Sequence, residues 1–313
     1  MNAPRRTRLC ARFFAFCLLA MLLAACAGSG AGPAATAQLR GATLHVDGAT
    51  LEYSDIPATE AHPGLRPLLL ITGYAATKEM WNADFVRALA AHRRVLLLDN
   101  RGMGPGPSGD GGFGIRDMAR DAAALLDGLG IRQADVLGWS MGGMTAQELT
   151  LARPDLVAAL VLYATAPDTA ELMPVLDRMA AMSGPELAAA MFPAKWSAAN
   201  PGAVQRLPQR PRPPDMRVIA LQYAAMRQWQ GDVSRLSALR VPTLILVGDA
   251  DWVCPPDQSQ RMARAIPESR LVVLPGGGHW MMHQFAPQMA RLVDGFFSGA
   301  DRFGQNYAPT PEH

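Results

Sequence analysis

The sequence predicts an α/β fold, a mostly parallel central sheet flanked by helices, with a helical lid inserted in its second half. Three observations predict it. Six short runs are continuously apolar, as expected of parallel strands covered on both faces: residues 67–71, 95–98, 136–137, 157–163, 243–247 and 271–274. Stretches with apolar residues at i, i+3 and i+4 separate most of them, at 83–91, 115–129, 144–153 and 286–297. The gap between the runs ending at Tyr163 and starting at Thr243 is far longer than a connection needs, and it carries three amphipathic pieces of its own.

The chain begins with Arg5, Arg6, Arg8 and Arg12 ahead of an apolar run, 13–25, too short for a comfortable membrane span, so residues 1–25 read as a secretory signal. The run ends in Leu23-Ala24-Ala25-Cys26, which resembles the lipobox of bacterial lipoproteins. That resemblance implies that Cys26 is acylated, becomes the new N-terminus and ties the protein to a membrane through lipid. It also implies an exported protein anchored to the cell envelope, at the outer membrane if the cell is Gram-negative, because Ala27 rather than aspartate follows the cysteine. Residues 26–38, with Gly28, Ser29, Gly30, Gly32 and Pro33 among alanines, lack hydrophobic periodicity and read as a flexible tether.

Removing the signal takes away four arginines and no acid, which moves the formal net charge from +2 to −2 and leaves nothing that suggests nucleic acid. Cys10 and Cys17 leave with the signal and Cys26 is lipidated, so Cys254 stands alone and the mature chain holds no internal disulfide. A lone cysteine without a nearby base reads as a small packed hydrophobe. At 313 residues and 50% apolar composition the chain can bury a full core.

The folded domain is expected over 39–300, followed by a polar tail, 301–313. It opens on a β-hairpin, 43–46 and 50–53, around Asp47-Gly48-Ala49. The strands and helices above then alternate up to Tyr163. The lid, about 168–238, contains helical pieces at 170–182, 184–191 and 216–229; it is methionine-rich and punctuated by Pro208, Pro211, Pro213 and Pro214. Its Met residues, Phe192, Trp196 and Trp229 either line an apolar pocket or form the lid's own core.

The chemistry is concentrated after three strands. Gly138-Trp139-Ser140-Met141-Gly142-Gly143 follows an apolar run and opens a helical pattern. In such a strand-to-helix turn the serine backbone is strained and side chains two residues to either side would collide, which calls for Gly138 and Gly142. His279 lies in Pro275-Gly276-Gly277-Gly278-His279-Trp280, straight after the run 271–274, at the same sheet edge as Ser140; His283 is its only rival as a base. Val247-Gly248-Asp249-Ala250-Asp251 follows another strand, and Asp251, deeper in the loop, is favoured over Asp249, which sits where it can cap a turn.

The order Ser140, Asp251, His279 is the order of the α/β-hydrolase triad. Over roughly residues 40–300 the chain resembles the α/β-hydrolase superfamily, with GWSMGG as nucleophile elbow, GDADWVCP as acid loop and GGGHW as histidine loop. Asp99-Asn100-Arg101-Gly102-Met103-Gly104 with Ser108 is similar to the family's D-x-R-G-x-G-x-S segment, where Asp99 and Arg101 fasten a turn and carry no chemistry. The resemblance implies an oxyanion hole from the N–H groups of Met141 and Tyr74, although Thr72-Gly73 stands where relatives usually have His-Gly.

It further implies a serine esterase or lactonase acting on a small-molecule acyl substrate through an acyl-enzyme, with no metal and no organic cofactor. Serine at the elbow argues against haloalkane dehalogenases, epoxide hydrolases and dienelactone hydrolases. Carbon–carbon bond hydrolases and cofactor-free haloperoxidases remain within the fold, and the elbow differs from the G-x-S-W-G usual in proline iminopeptidases. The reading from a different class is a lipoprotein that uses a hydrolase scaffold for binding without catalysis.

Overall fold

The computed structural model describes residues 41–299, apart from 61, 63, 110, 214 and 230. The signal peptide, Cys26, the tether and the polar tail lie outside the described residues. Among those described, no helix is long and apolar enough to cross a membrane.

Eight strands form one sheet: β1 (Gly41–Val46), β2 (Ala49–Ile56), β3 (Leu68–Ile71), β4 (Val95–Leu98), β5 (Ala134–Trp139), β6 (Val157–Tyr163), β7 (Thr243–Gly248) and β8 (Arg270–Leu274). Their order is β1-β2-β4-β3-β5-β6-β7-β8. β1 and β2 are antiparallel, β2 meets β4 antiparallel, and every later pair is parallel. The hairpin closes through Asp47 (φ 45°) and Gly48 (φ 73°), the two left-handed residues that a two-residue turn matched to strand twist requires.

The helices are α1 (Ala83–Ala90), α2 (Ile115–Gly128), α3 (Met141–Ala152), α4 (Leu172–Met179), α5 (Gly184–Ala190), α6 (Ala194–Ala199), α7 (Met216–Gln228), α8 (Pro256–Ala265), α9 (Met281–Gln284) and α10 (Ala286–Ser298). The apolar runs are continuous because alternate residues feed two different cores. Leu68, Leu70, Val95, Leu97, Leu137 and Trp139 face α1 and α10. Leu69, Ile71, Leu96, Leu98 and Val136 face Leu125 and Leu126 of α2, Leu149 of α3 and Met262 of α8. Each leucine fully buried in these layers contributes roughly 1.5–3 kcal/mol relative to exposure.

Three details differ from the sequence expectation. Helix α8 is not among the expected helices: of its buried residues Gln258, Ser259 and Met262 only the last is apolar, and it packs across β7 and β8 with Pro256 in its first turn. The run 271–274 is not covered on both faces, because β8 is the sheet's outer strand and Val273 stands 37% exposed. Helix α3 starts at Met141, three residues before its apolar period begins, because β5 runs straight into it through Ser140.

The segment between β6 and β7 holds α4 to α7. Its two ends are stapled together: Asp168 pairs with Gly231 in an isolated antiparallel bridge, and Thr169 Oγ1 donates to Trp229 O at 2.8 Å. Its far side meets the sheet's C-terminal edge, where Trp280 N donates to Met191 O at 3.3 Å.

Candidate active site

Ser140 joins β5 to α3 with φ 55° and ψ −121°, a left-handed backbone that costs a non-glycine residue about 1–3 kcal/mol. Neighbouring bonds impose it. Ser140 N donates to Tyr163 O at 2.9 Å, while Ser140 O accepts from Gly143 N at 2.8 Å and from Thr165 Oγ1 at 2.7 Å. A Cβ on Gly138 would overlap the backbone of Gly142, and one on Gly142 would overlap Ile71 O and Thr72 O. Gly143 is constrained as well, since its Cβ would stand 2.5 Å from Thr165 Cβ. The motif reading singled out only the first two glycines; the third is visible only once β6 is laid beside β5.

The two remaining loops converge on the serine. His279 Nε2 lies 3.2 Å from Ser140 Oγ, and His279 Nδ1 lies 2.9 Å from Asp251 Oδ2 and 3.1 Å from Oδ1. Asp251 is itself fixed, because its Oδ1 accepts from Val253 N at 2.9 Å and Cys254 N at 3.0 Å. Asp249 faces the other way and caps the histidine loop, accepting from Gly276 N at 2.7 Å. The loops approach closely enough that a Cβ on Gly248 would overlap Gly277 O. Ser140, Asp251 and His279 are 9%, 2% and 4% exposed, and Ser140 and His279 line the cavity described below. An imidazole so placed can take the hydroxyl proton while the carboxylate offsets the charge it gains.

Sequence reasoning missed the residues that hold the histidine loop. Tyr163 OH donates to His279 O at 3.0 Å and accepts from Met282 N at 3.2 Å; burial pushes the phenol's pKa well above its ordinary value, which keeps it a neutral donor. Gln284 accepts from Gly278 N at 2.7 Å and donates to Gly276 O at 3.0 Å. Tyr163 ends a strand and reads as core, and Gln284 sits in a short helix, so neither carries a local signal. Replacing Tyr163 by phenylalanine is expected to cost about 1–3 kcal/mol of stability, measured by denaturant unfolding, because it orphans a buried carbonyl and a buried N–H.

The loop after β3 runs beside the elbow. Tyr74 lines the cavity with Ser140, and Met141 opens α3, where the first N–H groups lack an i−4 partner. Asn100 Nδ2 donates to Thr72 O at 2.9 Å and to Thr72 Oγ1 at 3.2 Å, bracing the departure from His-Gly. Ala75, left-handed at φ 53°, is gripped from the insertion at both ends: its N–H donates to Gln222 Oε1 at 2.9 Å and its carbonyl accepts from Arg210 Nη2.

The remaining candidates are structural. Asp99 Oδ1 accepts from Lys78 N at 2.5 Å and Oδ2 faces Lys78 Nζ at 3.1 Å; burial raises the carboxyl's pKa to about 6 against the opposing pull of Lys78. Arg101 grips Asp121 with two nitrogens, at 2.7 and 2.5 Å. Both fasten loops, as their segment implied. Cys254 is buried, and burial raises its thiol's pKa well above the ordinary range, so it packs as a neutral group. Among the described residues no group of three or more His, Cys, Asp and Glu side chains is placed to hold a metal ion.

His283, the rival base, faces away and bonds Met80 O at 3.1 Å, and burial lowers its pKa to about 4. A histidine whose pKa falls from about 6.5 on folding stays neutral in the folded state while the unfolded chain takes up a proton. Stability is therefore lost as pH drops from about 6.5 to about 4. Chemical unfolding at pH 7.5 and 4.5 is expected to show a loss smaller by ~2 kcal/mol in His283→Gln than in wild type, allowing for the ring's partial exposure.

The cavity beside Ser140 and His279 offers about 100 Å³ to the centre of a water molecule, and its wall is mostly apolar: Met80, Trp139, Leu176, Met179, Met191 and Ile219 among others. Phe192, Trp196 and Trp229 are not in that wall. Phe192 stacks on Trp196 at 4.8 Å and meets Trp280 edge-on at 5.9 Å, while Trp229 Nε1 donates to Glu148 at 2.9 Å, so these aromatics pack the insertion and its seams. A larger groove of about 710 Å³ runs between residues 112–117 and α7, but it is open and holds no nucleophile.

The alpha/beta hydrolase family profile matches residues 68–294, which include all three converging loops. A protein of Pseudomonas syringae pv. syringae that carries the provisional name carbamate hydrolase RutD is 32% identical over 231 residues, covering 70% of this chain and 88% of that protein. Among solved structures, a hydrolase from Pseudomonas aeruginosa superimposes with TM-score 0.69 at 28% identity, over 82% of this chain and 98% of that one. A thermophilic esterase from Thermogutta terrifontis superimposes with TM-score 0.70 at 26% identity, over 83% and 98% of the two chains.

Proposed function

The chain belongs to the alpha/beta hydrolase family and is a hydrolase, and from that premise we propose that it cleaves an ester, lactone or related acyl bond through a covalent acyl-enzyme. The observation that carries the reading is the unbroken relay from Ser140 Oγ to His279 Nε2, 3.2 Å, and from His279 Nδ1 to Asp251 Oδ2, 2.9 Å. Ser140 Oγ attacks the acyl carbon as its proton passes to His279 Nε2. The N–H groups of Met141 and Tyr74 receive the oxyanion, each donor being worth roughly 2.7–4 kcal/mol in sites of this kind. His279 returns the proton to the leaving oxygen, then takes one from water as the hydroxide attacks the acyl carbon, and gives it to Ser140 Oγ as the acid leaves. Asp251 holds the imidazole's orientation and stabilises its charged form.

The solved esterase from Thermogutta terrifontis supports an ester bond, and the name of the Pseudomonas syringae relative supports a carbamate, whose acyl carbon is open to the same attack. The buried, glycine-enforced turn at Ser140 is a strained feature that a purely binding scaffold has no use for. We read α4 to α7 as a lid over the site, since they supply much of the cavity wall and touch both the loop after β3 and the histidine loop.

A fluorophosphonate probe tests the chemistry: it is expected to label the folded protein once, on the peptide containing Ser140. Folded protein that resists labelling refutes the reading. Lipid anchoring through Cys26 is tested separately. The wild-type protein expressed with its leader is expected to partition into detergent and Cys26→Ser into the aqueous phase, and partitioning that ignores the substitution refutes the anchor.

A further inference from the structure

Arg210 is the only lysine or arginine among the residues that line the cavity beside Ser140. Its Nη2 donates to Ala75 O, but Nη1 is buried and has no partner among the described residues. The carboxylates of this region engage other cations, although Glu79, which lines a small neighbouring cavity with Asp99 and Arg210, faces Lys78 Nζ with Oε1 at 3.1 Å and leaves its buried Oε2 without a hydrogen-bond partner among the described residues. Asp99 gives both oxygens to Lys78, and Glu52 takes Lys78 Nζ at 2.6 Å and Arg212 at 2.7 Å. Burial lowers the pKa of Arg210 from its ordinary value, opposed only in part by Asp99 and Tyr74. A second donor beside the same loop is also unsatisfied: Gln222 Nε2 is fully buried and unpartnered among the described residues, while its Oε1 holds Ala75 N.

A guanidinium in an apolar wall without a contacting counter-ion is costly, and removing one partner of a buried charge pair leaves this kind of deficit. Arg210 and Ser140 line one cavity, so a substrate bound there can supply the missing acceptor. A carboxylate matches the planar fork of a guanidinium and is an anion that an ester or lactone can carry. We propose that Arg210 receives a carboxylate carried by the substrate, so that the enzyme favours negatively charged esters or lactones over neutral ones of the same shape. The proposal rests on the hydrolase reading above and deepens it by naming the substrate class.

The test compares kcat/KM, corrected for spontaneous hydrolysis, within two matched pairs. On the acyl side these are p-nitrophenyl hydrogen glutarate and p-nitrophenyl hexanoate; on the alcohol side, 4-carboxyphenyl butyrate and phenyl butyrate. Wild type is expected to favour the anionic member of one pair by about tenfold or more, the pair showing which side carries the charge. Arg210→Gln is expected to bring that ratio to about one and Arg210→Lys to keep part of it. A role limited to bracing Ala75 would lower both members of a pair together and leave the ratio intact, which overturns the proposal; so does a wild-type enzyme indifferent to charge in both pairs. Should the glutamine variant not fold, competitive inhibition of wild-type hexanoate turnover by glutarate but not by glutaramide supports the proposal, and equal effects overturn it. Failure of the hydrolase reading looks different: folded wild type then neither labels at Ser140 nor turns over any member of the panel.

Discussion

Ser140→Ala is expected to lower kcat by roughly 10⁴- to 10⁶-fold while leaving the melting temperature nearly unchanged. The backbone strain at φ 55° is set by Gly143 N, Thr165 Oγ1 and Tyr163 O, none of which bonds the serine side chain, so alanine inherits the same turn. The bond lost is that to His279 Nε2. His279→Ala is expected to cost a similar factor and the double variant little more, because the two groups act in one proton transfer. Asp251→Asn makes a sharper test. The amide oxygen can still accept from Val253 N and Cys254 N, so the loop survives, but its NH₂ then faces His279 Nδ1 and selects the wrong imidazole tautomer. Roughly a 10⁴-fold loss in kcat is expected. Steady-state rates with thermal melts on the same samples check the set, and Ser140→Ala turnover within tenfold of wild type would remove the serine from the mechanism.

The loops of the candidate site were legible because each combines a scarce residue type with the glycines its position demands, and because all follow apolar runs that form strands of one sheet. The choice between Asp249 and Asp251 was legible for a related reason. The residue directly after β7 is placed to cap a neighbouring turn, as Asp249 does at Gly276, and the one two positions on can swing toward another strand's loop. What stayed hidden depends on distant chain segments meeting. Nothing local to Tyr163 says that its hydroxyl holds the carbonyl of His279, 116 residues away, and nothing local to Gln222 says that it holds Ala75, 147 residues away. Helix α8 was hidden for the opposite reason: it packs across β7 and β8, but of its buried residues Gln258, Ser259 and Met262 only the last is apolar, so its buried face carries no apolar stripe. The methionine-rich insertion offered both a pocket wall and a core, and the structure divides the roles by residue, with Met179 and Met191 in the wall and Phe192, Trp196 and Trp229 in the packing.

Gly142→Ala is expected to be among the most damaging single methyl additions in the described residues. The new Cβ would enter the backbone of Ile71 and Thr72, inside the space of two carbonyl oxygens, where no side chain can rotate away to admit it. Ile71 is paired to both β4 and β5 in the middle of the sheet, so β3 cannot retreat without breaking ladder bonds on each side. The alternative is for α3 to move off the sheet, which tilts Met141 N–H and the Ser140 turn away from the cavity. Either response costs roughly 3 kcal/mol or more, at the upper end of overpacking penalties. The two responses differ in what they leave behind. If β3 yields, the melting temperature falls steeply and the folded fraction still labels at Ser140. If α3 yields, stability falls less and fluorophosphonate labelling slows in protein that remains folded. Gly143→Ala provides the contrast, because its Cβ meets the side chain of Thr165 at 2.5 Å rather than backbone. Pairing it with Thr165→Ser, which removes a methyl and keeps the hydroxyl bond to Ser140 O, is expected to recover part of the lost stability. No comparable partner exchange relieves Gly142→Ala, since the atoms in its way belong to the main chain. A Gly142→Ala protein with wild-type melting temperature and labelling rate would show that the elbow has slack that the packing around it denies.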